Sequence, residues 1–138
     1  MGGITIRSTV HHTMTQVMQT IIEVESYPSF LPGCHGVRLM HWKKDGLDAE
    51  MTILNGIVFV TKMRWTHQMV WLENSFVRGQ WSIAPCSNGT EIQLQLHVVA
   101  GGLGGCVLRA GLPHYLPIMK RAFEDRLRHN YRLHLPDH

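Results

Sequence analysis

Three dipeptides, Asp45-Gly46, Asn55-Gly56 and Asn88-Gly89, divide the middle of this chain into short runs rich in β-branched, aromatic and methionine residues. Asp-Gly and Asn-Gly tolerate the positive φ angles of a tight two-residue turn, so each predicts a β-hairpin. The chain then closes on a long helical pattern. Together these signals constrain the fold to one antiparallel sheet followed by one long helix. In such a plan, function rests on the space between sheet and helix rather than on a short catalytic motif.

Ile4–Val10 alternates and predicts a first strand. Thr13 or Thr15 can cap the next helix, where Val17, Met18, Ile21, Ile22 and Val24 follow helical spacing. Pro28 and Pro32 limit what comes next to a turn or one short helical piece. Strands are predicted over 36–44, 47–54, 57–67, 69–73, 77–85 and 90–100, with no clear turn signal separating the strands near 68–76. The run Ala100-Gly-Gly-Leu-Gly-Gly-Cys106 reads as a flexible connection. It lacks the Gly-Lys-Ser/Thr ending and the spacing of a phosphate-binding loop.

The final helix carries the stripe Leu108, Leu112, Leu116, Met119, Phe123, Leu127 and Tyr131. Proline is tolerated only in a first turn, so Pro113 and Pro117 predict that the regular part begins after about residue 113. Lys120, Arg121, Glu124, Asp125, Arg128, His129 and Arg132 fill the other face, with Glu124/Arg128 as an i,i+4 pair. One helix covering a curved sheet is expected to leave a hollow.

At 138 residues, with 44% hydrophobic and 17% charged, the chain is long enough for one domain over 1–138 with a sizeable core. Eight Met and four Trp suit an adaptable apolar interior. No apolar run reaches the ~18 residues of a membrane span. The start, Met1-Gly-Gly-Ile-Thr-Ile-Arg7, has no signal-peptide pattern, and Ile6 breaks the myristoylation pattern. Cys34, Cys86 and Cys106 are odd in number and widely spaced, which predicts reduced thiols and a cytoplasmic protein. No metal site is expected. His11 and His12 point opposite ways on a strand, and Pro136 breaks the helix that would align His134 with His138. The net charge of +3 suits an anionic partner without marking a nucleic-acid binder.

The segment Tyr27-Pro28-Ser29-Phe30-Leu31-Pro32-Gly33-Cys34 resembles a signature of the coenzyme Q-binding proteins, within the polyketide cyclase/START-like superfamily. Ile22-Glu23-Val24-Glu25-Ser26 precedes it as that family's first helix does. Gly56-Ile57 with Arg64 resembles the fourth strand, and Gly79-Gln80-Trp81-Ser82-Ile83 resembles its G-x-W-x-F strand. Phe123 and Arg126 lie near the characteristic aromatic and basic positions of its closing helix. The resemblance spans nearly the whole chain. It departs at Asn74-Ser75-Phe76, where the family usually has Gly-Pro-Phe, and 66–76 looks shortened. The implied fold is α+β, a helix-grip (START/Bet v 1-like) domain with a curved antiparallel sheet wrapped around the C-terminal helix. The implied ligand is an isoprenoid quinone, lipid or aromatic polyketide.

Relatives in this superfamily include quinone chaperones, a ribosome-association toxin and aromatase/cyclases. In the cyclases, a strand Arg and a pocket Tyr are credited with oxyanion binding and proton transfer. Arg64 aligns with the Arg, while the Tyr position falls near Cys34, so that phenol is missing. Alternation on the fourth strand puts Thr61, Met63, Trp65 and His67 on one face and Lys62, Arg64 and Thr66 on the other. Hydrophobicity turns His67 inward and alignment turns Arg64 inward, so both serve a cavity only if the strand is bulged. His97 shares a polar strand face with Glu91, Gln93 and Gln95 and is expected exposed.

The expected ligand-binding wall is Met51, Ile53, Met63, Trp65, Trp81, Ile83, Leu94, Leu96, Leu116, Met119 and Phe123, with Cys34, His35, His114 and Tyr115 near a head group. Arg64 and His67 are the candidate catalytic residues. No Ser-His-Asp or Cys-His arrangement follows from spacing. The leading expectation is a carrier that binds a hydrophobic small molecule without a cofactor. The second is a polyketide or terpenoid cyclase/dehydratase using the same cavity. The third is a module acting on the ribosome or another anionic surface through the basic face of the last helix.

Overall fold

The structure, a computed structural model, describes residues 3–54 and 56–131. Asn55, Arg132, His134 and His138, named above, lie outside them. Strand β1 (Ile4–Val10) leads into helix α1 (Met14–Ile22) and a short 3₁₀ turn (Val24–Ser29). Then follow β2 (Cys34–Lys43), β3 (Gly46–Ile53), β4 (Ile57–Trp65), β5 (Met69–Glu73), β6 (Val77–Cys86) and β7 (Gly89–Val98), and finally helix α2 (Gly102–Asn130). The seven strands form one antiparallel sheet in the order β1-β7-β6-β5-β4-β3-β2. This is the expected helix-grip plan, in which the chain from β2 to β7 is a meander of hairpins.

Hairpins form at all three glycine dipeptides, but for different physical reasons. Lys43 pairs with Gly46 and Cys86 with Gly89, so these glycines open strands instead of occupying the turns. A Cβ on Gly46 would sit 2.8 Å from the Met63 carbonyl of the neighbouring strand. On Gly89 it would sit 2.0 Å from the Val10 carbonyl of β1, at a φ of +151°. At Gly56 backbone freedom is the whole reason, with φ +91° and nothing near its missing Cβ.

The segment without a turn signal is closed by Asn74. Its Oδ1 accepts from the backbone N–H of Phe76 and Val77, at 2.8 and 2.9 Å. Its amide nitrogen donates to Thr61 Oγ1 at 3.1 Å. An Asx turn therefore does here what a Gly-Pro turn would do. Helix α1 starts at a capping box: Thr13 accepts from the Gln16 N–H, and Gln16 accepts from the Thr13 N–H.

The final helix departs from expectation at its start. It is helical from Gly102, so the glycine run belongs to it, and Pro113 and Pro117 lie inside it. Each proline removes one N–H, at the carbonyls of Arg109 and Pro113. All three residues are exposed, so those carbonyls can bond water. Gly105 lets the helix turn tightly over the preceding loop, since a Cβ there would lie 2.1 Å from the Ala100 carbonyl. The expected Glu124/Arg128 pair is replaced: Glu124 accepts from Ser8 of β1, and Arg128 pairs with Asp125.

The two glycine mechanisms predict different costs. Gly89→Ala, which drives a side chain into backbone, should lower stability by roughly 3 kcal/mol or more. Gly56→Ala should lower it by about 1 kcal/mol, the price of a left-handed alanine alone. Urea unfolding of both variants measures the difference.

Candidate functional site

The inner face of the sheet and the buried edge of α2 form one apolar cluster. Across it run the registers Trp81–Leu94–Ile6 and Leu47–Met63–Leu72–Gly79–Leu96, which share the inner face of the sheet. Met51, Met63, Trp81, Ile83, Leu94, Leu96, Leu116 and Phe123 are buried, and Ile53, Trp65, Met119 and Tyr115 are half-buried. Helix α2 lies over β1, β7 and α1, with Met119 and Phe123 facing Trp81 and Leu94.

Phe123 is the hub. Its ring meets Trp81 at 5.3 Å, Tyr27 at 5.5 Å and Phe30 at 5.3 Å, each edge to face. Tyr27 and Phe30 come from the signature segment, so the role of that segment is to brace the helix. Neither was among the expected wall residues, although the quoted signature contained both. The Tyr27 hydroxyl donates to the Ile21 carbonyl, and the Arg126 guanidinium lies over Phe30 at 5.2 Å.

A second polar node lies where α2 passes the start of β2. Tyr115 donates its phenol to the Pro32 carbonyl at 2.7 Å. Cys34 is buried beside it, and burial pushes its thiol up from the ordinary value. The Tyr115 phenol is pushed up to about 12, mainly by burial and further by Cys34. The same two causes raise Tyr27. The pocket between β1, β6, β7 and α2, lined by Trp81, Leu94, Met119 and Phe123, measures about 30 Å³. That holds one or two waters, whereas sites for drug-sized ligands run to ~300 Å³ and more. Between α2 and these three strands the space is therefore tightly filled, with Met119 and the Trp81 and Phe123 rings taking it up.

The two candidate catalytic residues are not brought into this cluster. Arg64 is exposed on the opposite sheet face, in plain alternation with buried Met63. The β4 ladder shows no register shift, so no bulge turns Arg64 inward. His67 is exposed as well, because β4 ends at Trp65 and residues 66–68 form the turn into β5. His35 is exposed next to buried Cys34, and His97 is exposed as expected.

A larger cavity of about 870 Å³ lies along β2–β6; Met63, Trp65 and Leu72 of the inner row line it together with Arg64, Lys62 and Arg78 of the opposite face. Arg78, Glu73, Lys62 and Asp48 follow one another across it in paired positions, so the charges alternate in sign. Cross-strand pairing of opposite charges on a solvated face accounts for that row.

Sheet, helix and apolar interior define a START-like helix-grip domain. The chain belongs to the family described as polyketide cyclase / dehydrase and lipid transport, whose model matches residues 10–124. Among solved structures it is similar to a STAR-related lipid transfer protein from Xanthomonas axonopodis. That likeness has a TM-score of 0.80 at 12% identity, over 91% of this chain and 85% of that one. The aromatase/cyclase Zhui from Streptomyces sp. R1128 matches at TM-score 0.69 and 11% identity, over 94% of this chain and 92% of that one. The di-domain ARO/CYC BexL from the BE-7585A biosynthetic pathway matches at TM-score 0.74 and 15% identity, over 97% of this chain. This chain spans 51% of BexL, about half its length. At such identities these likenesses show the fold alone. A search of curated proteins finds no sequence match.

The burial of Cys34 predicts its chemistry. With a thiol-reactive dye, exposed Cys86 and Cys106 should label quickly in the folded chain, and Cys34 only on unfolding. Three rapid equivalents would contradict this placement. The raised phenols set a stability window. Their contribution is complete below pH ~10, where unfolded tyrosine is still protonated, and is lost as pH rises through the folded values. Urea midpoints should therefore fall above pH ~10, and Tyr115→Phe should make that fall shallower.

Proposed function

We propose that this chain is a carrier for an apolar small molecule, an isoprenoid quinone or another lipid, held between α2 and the sheet. One observation carries this reading: the surface where α2 meets the sheet is built mainly of apolar side chains, with Trp81, Leu94, Met119 and Phe123 at its centre. Thr61 is the one buried polar side chain on the inner face of β4, and its hydroxyl is already engaged by Asn74. The family description includes lipid transport, and one structural neighbour is a lipid transfer protein. The tight filling beneath α2 fits a carrier whose ligand displaces flexible side chains. Met51, Met63 and Met119 have unbranched side chains that re-pack at small cost.

A second reading, as a cyclase or dehydratase, is favoured by Tyr115. The pocket tyrosine that the resemblance leads one to look for near Cys34 is absent, yet α2 delivers a phenol to that same neighbourhood. Held protonated, it would be a hydrogen-bond donor or general acid for an oxygenated ligand.

Native mass spectrometry of the freshly purified chain, with organic extraction, separates the two readings. A recovered isoprenoid or lipid, unchanged on incubation, is the carrier's expected result; a cyclised or dehydrated product overturns it. In titrations with a short-chain ubiquinone, Trp81→Ala and Phe123→Ala should weaken binding by on the order of 1–3 kcal/mol, the worth of a lost aromatic wall. Met119→Ala tests the same wall with less damage to the core. Arg64→Ala and His67→Ala should leave affinity unchanged. Under the enzymatic reading, Tyr115→Phe should instead lower turnover ~100-fold while ligand is retained.

A further inference from the structure

The first half of α2 breaks the rule that the rest of the molecule keeps. Its inward stripe, Leu108, Leu112 and Leu116, is half-buried or buried. Its outward face should then be polar, but carries Leu103, Val107, Ala110 and Ile118. Leu103 is 82% exposed and Val107 64% exposed. From Gly102 to Ile118 the only formally charged residue is Arg109. A helix that is apolar all round belongs in an apolar surrounding, and this one has cover on one side only. The tip of the β3–β4 hairpin adds exposed Leu54, Ile57 and Val58.

Both features lie on the same rim. The Leu54 N–H donates to the Gly33 carbonyl at 3.0 Å, and Tyr115 of α2 donates to the adjoining Pro32. At the other end of this stretch, Gly105 packs on Ala100, whose N–H bonds Phe76, and Phe76 stacks on Phe59 of β4.

We infer that this rim, the outward face of α2 up to Ile118 with the β3–β4 tip, docks on an anionic lipid bilayer. Charge decides the occupant. Arg109, Lys120 and Arg121 occur along α2 before its first acidic residue, Glu124, and Arg121 continues the outward face one turn beyond Ile118. A second copy would bring the same sign of charge to this face and offer its cations no anionic partner. An anionic membrane surface matches both the cations and the apolar stripe. No helix among the described residues is long and apolar enough to cross a membrane, so the element lies on the surface. Resting on the carrier reading, the inference adds a route: an apolar ligand passes between bilayer and interior beside the Tyr115–Pro32 contact, without crossing water.

The test is co-sedimentation of the full chain with vesicles, either phosphatidylcholine alone or phosphatidylcholine mixed with phosphatidylglycerol. Wild type should bind the mixed vesicles, more weakly as salt rises. The double variant Leu103→Asp/Val107→Asp should bind them ~10-fold or more weakly, and Arg121→Glu should reduce both binding and its salt dependence. Both substitutions are on exposed positions, so urea unfolding and affinity for a short-chain ubiquinone should be unchanged. Wild type that stays in the supernatant with mixed vesicles would overturn the inference. So would a double variant that sediments as well as wild type, or a wild-type dimer that this variant converts to monomer. If ubiquinone fails to bind while the vesicle results hold, the carrier reading falls and the docking surface stands.

Discussion

Phe123 holds three separate parts of the chain in one place. Its ring packs edge to face on Trp81 of the sheet and on Tyr27 and Phe30 of the segment before β2. Each such contact adds ~0.5–1.5 kcal/mol beyond the apolar area it buries. Without the cluster, α2 would be tied to the sheet mainly by Leu116, Leu127 and the Ser8–Glu124 contact. The hairpins could still form their ladders, but an antiparallel sheet with an uncovered apolar face is not a stable end point. The 3₁₀ turn, α1 and α2 therefore depend on this meeting of rings, and the signature segment is best understood as its brace.

The same packing limits what the interior can hold. The space of about 30 Å³ beneath α2 cannot take a quinone, so a ligand seated between α2 and β1, β6 and β7 requires the filling side chains to move. A protein whose competent state is a minor population binds with affinity reduced by that population. The residues that must give way are of two kinds. Phe123 and Trp81 are anchored by mutual stacking, whereas Met119 is half-buried on the helix surface and has several rotors. Opening along the Met119 side, or toward the thinly covered first half of α2, leaves the aromatic hub intact. Opening through the hub would separate helix from sheet.

Much of the fold was legible in the residues. Alternation and turn dipeptides located all seven strands, because each inward position is buried against the same core. The stripe from Leu116 to Leu127 was visible for the same reason. What was not legible came from contacts distant in sequence. Gly46 and Gly89 are required by the approach of Met63 and Val10, which no local pattern reveals. Asn74 as a turn-maker depends partly on Thr61, thirteen positions away. The prolines of α2 misled because a helix can carry them where the freed carbonyls face water. At the site, parity along β4 already separated Arg64 from Trp65, and the structure upholds parity against the alignment. His67 failed for a different reason: alternation was extended past the end of its strand. Tyr115 and Cys34 were expected in one neighbourhood although 81 positions separate them, but the phenol's bond to Pro32 was not legible, because no local pattern marks it.

The two halves of α2 obey different physics, and the prolines mark where they meet. Beyond Pro117 the helix is amphipathic in the ordinary way. Phe123 and Leu127 are buried, and Arg121, Asp125 and Arg128 face water. Before Pro113 it has four glycines, one charge and exposed apolar side chains on its outward face. Glycine lowers helix propensity by ~1 kcal/mol per residue relative to alanine, and each proline deletes a backbone bond. The first half is thus held less by its own hydrogen bonds than by what covers it. Tyr115 is the tether at the junction, fixing the helix to Pro32 just where the two regimes change. A stable second half and a weakly held first half allow the interior to be exposed without unfolding the domain. That division follows from sequence composition and backbone bonding alone, and it makes the end of the helix remote from Phe123 the part held least firmly.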